Sequence, residues 1–502
     1  MLKQLTYSEK KAGLIACFFL FSFSSFSGDK ISGDKIWIFN PEVQKAYQLV
    51  LNLHTEQAYL ELNKLSAKGS ELHKLYVLSL CETVDVLITE DAKKFEKIDA
   101  NFKERLSYIE TLTPSAETLF LEAELNLQRG FSLINLNQEL SAVFAIKAAY
   151  NAAQECMRKY PDFIPIKKTS GVIQVMVGSI PDKFRWFMSL LGMKGSVTLG
   201  QKQLEELKAS KSSLSLEATI LFYTIKGLIN QQFEESAKGL TECLKSDPNN
   251  RLLLFLSVNM MMKNSQSEEA FGLIQIMEKQ TQGLHVYYID YLKGEILLQK
   301  GEYPHAIQAY LKFIQGYKSQ SFKKDSYYKI SLCYFLQNKL DPAKTNFNLA
   351  KTIGKDVAEP DKAAAVQLKE DKFPNAKILK VRFYTDGGYY KQAKETLHAI
   401  VPSDLTTSKD QIEFYYRKAR LSHKLGELQA AKLFYNQTID MTGENPWYFA
   451  PNSALQLGYI AQTQKDYPAA KKYFDMALSY KRHEYKSSID NKAKSALETL
   501  KN

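Results

Sequence analysis

Acid–base, metal or nucleophilic chemistry in this chain of 502 residues would have to come from a small set of side chains, and their spacing does not assemble it. The seven histidines are His54, His73, His285, His305, His398, His423 and His483. No two stand four apart on one helical face and none lies at ligand spacing from a cysteine, so neither an HExxH zinc helix nor a Cys/His metal site can be drawn. Cys81, Cys156, Cys243 and Cys333 are 75, 87 and 90 residues apart, each inside an apolar helical pattern. Thiols so widely spaced read as buried and free, not as a disulfide framework. There is no glycine-rich phosphate loop and no GxSxG nucleophile elbow. The glycine pair in "TDGGYY", residues 385–390, follows no strand and belongs to a turn between helices. These residues predict a non-catalytic protein without a cofactor, which leaves binding as the chemistry to look for.

Charge narrows the partner. The balance of 66 Lys+Arg against 55 Asp+Glu gives +11, and the lysines alternate with glutamates along helix faces instead of gathering in a block. That argues against nucleic acid. At 45% hydrophobic and 24% charged residues, with 14 prolines, the composition is that of a folded, helix-rich chain. At the N-terminus Lys10 and Lys11 precede "AGLIACFFLFSF", and Ser25 and Ser27 stand three and one before Gly28. This is the pattern of a secretory signal peptide over residues 1–27, followed by a polar spacer over 28–38; the tandem "SGDKISGDKI", residues 27–36, runs from the cleavage site into that spacer. The expected location is the periplasm or cell envelope of a Gram-negative bacterium; "LIAC", ending at Cys17, offers lipid anchoring as an alternative, and free secretion is another. No later stretch reaches the length of a membrane span.

The elements that would position a binding surface show themselves as a repeat. "GEYPHAIQAYLKF", residues 301–313, returns as "KDYPAAKKYFDMA", residues 465–477. Aligned on its alanine, the motif recurs at Ala237, Ala270, Ala306, Ala343, Ala393, Ala431 and Ala470, with steps of 33, 36, 37, 50, 38 and 39. Twelve residues before the anchor stand the small Gly294, Ser331, Ala419 and Gly458; four after it stand the rings Tyr310, Phe347, Tyr435 and Phe474. A small residue facing a ring is what two close-packed helices of a hairpin require. Gly301, Gly388 and Gly426, five before the anchor, suit the left-handed end of the first helix, and Pro304, Pro342 and Pro468 suit the first turn of the second. The longest step holds residues 355–377, expected to be an extended connection or an added helix.

On these residues the chain resembles the tetratricopeptide-repeat superfamily over about 214–480. The resemblance implies an all-α, right-handed superhelical α-solenoid of helix–turn–helix hairpins, with an array at 211–502 and a less regular helical region at 39–210. It also implies that positions two, five, nine and twelve of each first helix face an inner wall, counting the small residue as eight. The candidate partner-binding residues are then Tyr288, Tyr291, Tyr328, Phe335, Tyr416, Arg420 and Tyr459. Tyrosines there either grip an extended protein or peptide partner or pack one repeat on the next. The asparagines with which some members clamp acidic C-terminal tails are missing from the matching positions. Residues 171–207, with "SIP" and the "LLGMKG" turn, are similar to the tetratricopeptide repeat protein 39 family, although Met193 replaces the expected aromatic and export is foreign to that family. That likeness implies a lipid-handling role at a membrane surface as an alternative. A further alternative is carbohydrate or nutrient binding, which would need Trp37, Trp186 or Trp447 exposed in a pocket.

Overall fold

The computed structural model describes residues 36–65, 70–136, 138–180, 186, 188–356 and 358–500. The segment expected to be a signal peptide, with nearly all of the spacer after it, lies outside them. Among the described residues there are helices and turns and no strand. The described residues form two compact units: one comprises those up to Asn264 with Gly272–Tyr287 and Tyr317–Ser319, the other Ser265–Phe271, Tyr288–Gly316 and those from Gln320 onward.

The first unit holds α1 (Pro41–Leu51), α2 (Thr55–Lys64), α3 (Glu71–Thr89), α4 (Ala92–Glu110), α5 (Ala116–Asn135), α6 (Glu139–Lys159), α7 (Ile166–Gly178), α8 (Val197–Lys208), α9 (Ser215–Leu228), α10 (Phe233–Leu244) and α11 (Arg251–Lys263). Trp37, read from sequence as the end of a polar spacer, is a core residue here with 1% of its surface exposed. Its ring packs edge-on against Tyr76 and Phe120, its Nε1–H donates to Glu117 (2.9 Å), and its carbonyl accepts from the Ser213 N–H (2.9 Å). An indole buries more apolar area than almost any other side chain, so it takes the chain leading into α1 into the interior. Helices α7 and α8 cross where Gly171 meets Gly200; a Cβ on Gly200 would lie 2.4 Å from the Gly171 carbonyl oxygen. The three buried thiols, Cys81, Cys156 and Cys333, and the half-buried Cys243 are all free.

Helix α12 (Ser267–Glu278) leads to the second unit, built from the pairs α13 (Tyr288–Lys300) and α14 (Tyr303–Gly316), α15 (Lys323–Leu336) and α16 (Leu340–Thr352), then α17 (Glu359–Leu368), then α18 (Ala376–Gly387) with α19 (Tyr390–His398), α20 (Ser408–Lys424) with α21 (Leu428–Thr442), α22 (Phe449–Thr463) with α23 (Tyr467–Ser479), and a closing α24 (Lys486–Thr499). The register read from sequence is the one that packs. All seven anchor alanines are buried, all but Ala237 completely. A Cβ on Gly294 would stand 2.7 Å from the Tyr310 ring, and one on Gly458 would stand 2.4 Å from the Phe474 ring, so the small residue is what admits the ring. The architecture is an all-α solenoid of helix–turn–helix hairpins.

Two features break the simple stack. Residues 355–377 contain α17, whose Asp361 is fully buried and reaches back to the start of α15. Phe322, the residue before α15, has φ +65° and no capping side chain; Asp361 takes the cap's place by accepting from the Phe322 N–H (2.7 Å) and the Asp325 N–H (3.1 Å). After that helix the chain turns back, and α18 packs on α13. The contact depends on Gly388, at φ +85°, where a Cβ would fall 2.0 Å from the Ser265 carbonyl oxygen. The Tyr389 hydroxyl then donates to Glu268 (2.9 Å).

Candidate functional site

The first helices of the second unit's hairpins carry all seven candidate residues, and the structure divides them. Tyr291, Tyr328 and Tyr416 are buried. The Tyr291 hydroxyl donates to Asp325 (2.7 Å), the Tyr416 hydroxyl accepts from Asn452 (2.6 Å), and Tyr328 meets Phe347 edge-on. Phe335 is half-buried but its ring lies flat on Phe373 at 4.5 Å, a side chain delivered by the connection after α17. Tyr288 is half-buried and stacks on Tyr291 at 5.3 Å. Tyr459, also half-buried, sets its ring edge against Phe474; burial pushes its hydroxyl up to about 12. Arg420 is half-buried and donates to Gln456 (3.0 Å). The tyrosines at position five therefore pack between helices, while Tyr288, Phe335, Arg420 and Tyr459 are half-buried.

Sequence reasoning missed two buried ion networks because lysine and glutamate read as surface residues by type. In the second unit the Lys329 ammonium lies 2.6 Å from Glu295 and 2.8 Å from Asp325 and donates to the Tyr291 hydroxyl (3.1 Å), while Tyr310 donates to Glu295. Burial alone would lower the ammonium, but Asp325 and Glu295 outweigh it and hold it above the usual lysine range. In the first unit Lys168 stands 2.6 Å from Glu124 and 2.7 Å from Glu217, and Tyr47 and Tyr76 both donate to Glu217 (2.9 and 2.6 Å). Every charge in these clusters has partners, so they read as internal braces. Among the described residues no group of three His, Cys, Asp or Glu side chains is placed to hold a metal ion, and no helix is long and apolar enough to cross a membrane.

A third cluster is not neutralised in the same way. Glu413, Arg417, Arg420 and Lys424 recur four, three and four residues apart and so share one stripe of α20. At its start Arg417 is satisfied by Glu413 (Nε 3.0 Å, Nη2 2.6 Å) and by the Tyr448 hydroxyl (2.9 Å). Further along, the partners of Arg420 are the neutral amide of Gln456 and the Tyr435 hydroxyl, and Lys424 makes neither a hydrogen bond nor an ion pair with the described residues. Burial, and after it Arg420, hold the Lys424 ammonium below its usual range. Between them His423 is lowered to about 4 by burial and by these two cations, so it is neutral at physiological pH. On α18, the neighbouring first helix, Arg382 leaves 45% of its side chain exposed and stands 3.7 Å from Asp386. Spacing alone could have found the stripe; the lack of counter-charges could not be read that way.

The tetratricopeptide repeat family model matches residues 412–445, the hairpin of α20 and α21. No curated protein matches the chain. Solved structures to which it is similar include the apo form of the quorum sensor NprR from B. thuringiensis, at 12% identity over 80% of this chain and 98% of that one, with a TM-score of 0.30. NprR in complex with its cognate peptide NprX is similar at 15% identity over 57% of this chain and 82% of that one (TM-score 0.22). Human IFIT1 as a dimer with m7Gppp-AAAA is similar at 12% identity over 93% and 96% (TM-score 0.32).

Proposed function

We propose that this protein, which carries a tetratricopeptide-repeat match and whose described residues form helices joined by turns, serves as an exported, non-catalytic scaffold that holds a protein or peptide partner. The observation that supports this reading is the set of polar and aromatic side chains left partly accessible on successive first helices of the second unit: the exposed Arg382 on α18 and the half-buried Arg420 on α20 and Tyr459 on α22. They recur at 38 and 39 residues, the repeat period itself. A hairpin array presents such positions in register, which is how one extended chain can be held by several helices at once. Export is supported by Lys10, Lys11, the apolar run after them and the small residues before Gly28. Affinity capture from an envelope extract with the full chain, compared with Arg420→Ala/Tyr459→Ala, tests the scaffold. We expect one partner set to be lost in the double variant with the melting temperature unchanged; the same set retained would end the reading. N-terminal sequencing of the exported chain is expected to begin near Gly28, and an intact Met1 would remove the export half.

A second reading, contact with a lipid surface, is favoured by one observation in the first unit. Leu140 (57% exposed) and Phe144 (58%) lie on α6, and Trp186 (66%) and Leu190 (44%) precede the turn at Gly192, which comes against Lys147 of α6. Exposed aromatics beside lysines suit a bilayer interface. Flotation of the full chain with anionic vesicles is expected to weaken in Phe144→Ser; a chain that never floats with vesicles rejects this reading.

A further inference from the structure

Half-buried cations set side by side without a carboxylate are costly, because each is partly stripped of water and repels the other. Arg420 and Lys424 come near that position: they stand one turn apart on α20, Arg420 bonded to the Gln456 amide and the Tyr435 hydroxyl, and Lys424 making no hydrogen bond or ion pair with the described residues. A third cation, Arg382, is on the adjoining first helix α18. Glu413 is committed to Arg417, and the other nearby acid, Asp386, is shared among Arg382, Arg417, Arg420 and Lys424; with the surrounding tyrosines it holds the guanidiniums charged, while the Lys424 ammonium stays below its usual range. Half-buried cations that outnumber the carboxylates beside them cluster at functional sites, where an anion supplies the missing charge.

The spacing narrows the ligand. Residues four apart on a helix are separated by about 6 Å along its axis. Alternate side chains of an extended peptide, which point the same way, are separated by about 6.6 Å. A guanidinium fork takes a carboxylate through two parallel N–H donors, while an ammonium takes one as a point charge.

We propose that Arg420 and Lys424 form an anion subsite that receives two carboxylates placed at alternate positions of an extended peptide, with Arg382 as a flanking cation. This rests on the reading of the second unit as a peptide-holding array and names the chemistry it selects. The residues differ from an asparagine-based tail clamp, and the recognised feature is an internal acidic pair, not a chain terminus.

The test uses the full chain and fluorescein-labelled heptapeptides, read by anisotropy. One peptide carries glutamates two apart in a serine and glycine background, a second carries them four apart, and a third replaces both with glutamine. The first is expected to bind about tenfold more tightly than the third, with the advantage shrinking as salt rises. In Arg420→Gln/Lys424→Gln that preference disappears, and the melting temperature is unchanged or higher because a repulsion has been removed. Equal affinity for the glutamate and glutamine peptides overturns the subsite. So does a double variant that melts several degrees lower, since the cations would then be structural. Equal affinity for both glutamate spacings, or for a single-stranded oligonucleotide of matched charge, overturns the acidic-pair reading in favour of a general polyanion wall. Capture of the same cellular partner by wild type and by Arg420→Gln/Lys424→Gln would remove the subsite and leave the scaffold standing; failure to capture any partner would remove both.

Discussion

Asp361 does at one position what an N-cap usually does from within its own helix. It receives N–H donors from Phe322, Asp325 and Ala358, yet burial, reinforced by the charge of Asp325, outweighs them and pushes its carboxyl up to about 7. An unfolded aspartate titrates near about 4. The folded state therefore holds this proton more tightly than the unfolded chain, and the stability it contributes is complete below about pH 4 and lost as pH rises through about 7. We expect the melting temperature of wild type to fall between those limits and Asp361→Asn to flatten that slope. An identical slope in both proteins, measured by thermal denaturation across the range, would show that the titrating group is elsewhere. At this scale the sequence is least legible: Asp361 lies 39 residues from Phe322, and nothing local to either residue announces the other.

Individual helices were far easier to read. Gly294 with Tyr310 and Gly458 with Phe474 follow from period alone, because a hairpin cannot close unless one side of the contact is small. Ala306 belongs to the same logic, with 0% exposure between α13 and its partner α14. Ala306→Leu should overpack that contact and cost about 1–3 kcal/mol in urea denaturation; a neutral result would mean the register is wrong. The wall positions were legible only in part. Period places Tyr291, Tyr328 and Tyr416 correctly on first helices, but whether a ring at such a position faces solvent or the next helix depends on what the neighbour supplies. Here the neighbours supply Asp325, Phe347 and Asn452, so the rings turn inward. The return of α18 onto α13 was not legible either, since it depends on Gly388 meeting a backbone carbonyl more than a hundred residues earlier in the chain.

Across the whole chain, each unit is braced by its own buried lysine between two glutamates or a glutamate and an aspartate. Removing the cation leaves two carboxylates in a place that water does not reach freely, which typically costs about 3–5 kcal/mol. Lys168→Met and Lys329→Met should each lower stability by that order in urea denaturation, with loss of the first felt by the probe Trp37 and loss of the second by tyrosines of α13 and α15. A loss under about 1 kcal/mol in either variant would show the ion pair to be dispensable. Composition gave no hint of this, because the 66 basic and 55 acidic residues are counted alike whether they lie in water or in the core.

The cap on α15 also bears on how the chain is made. A ribosome that has released residues up to Leu336 has delivered a helix whose leading amides still await their acceptor, since Asp361 is not yet outside the exit tunnel. The order of synthesis thus runs against the order of closure: the leading amides of α15 gain their side-chain acceptor only after α17 has emerged.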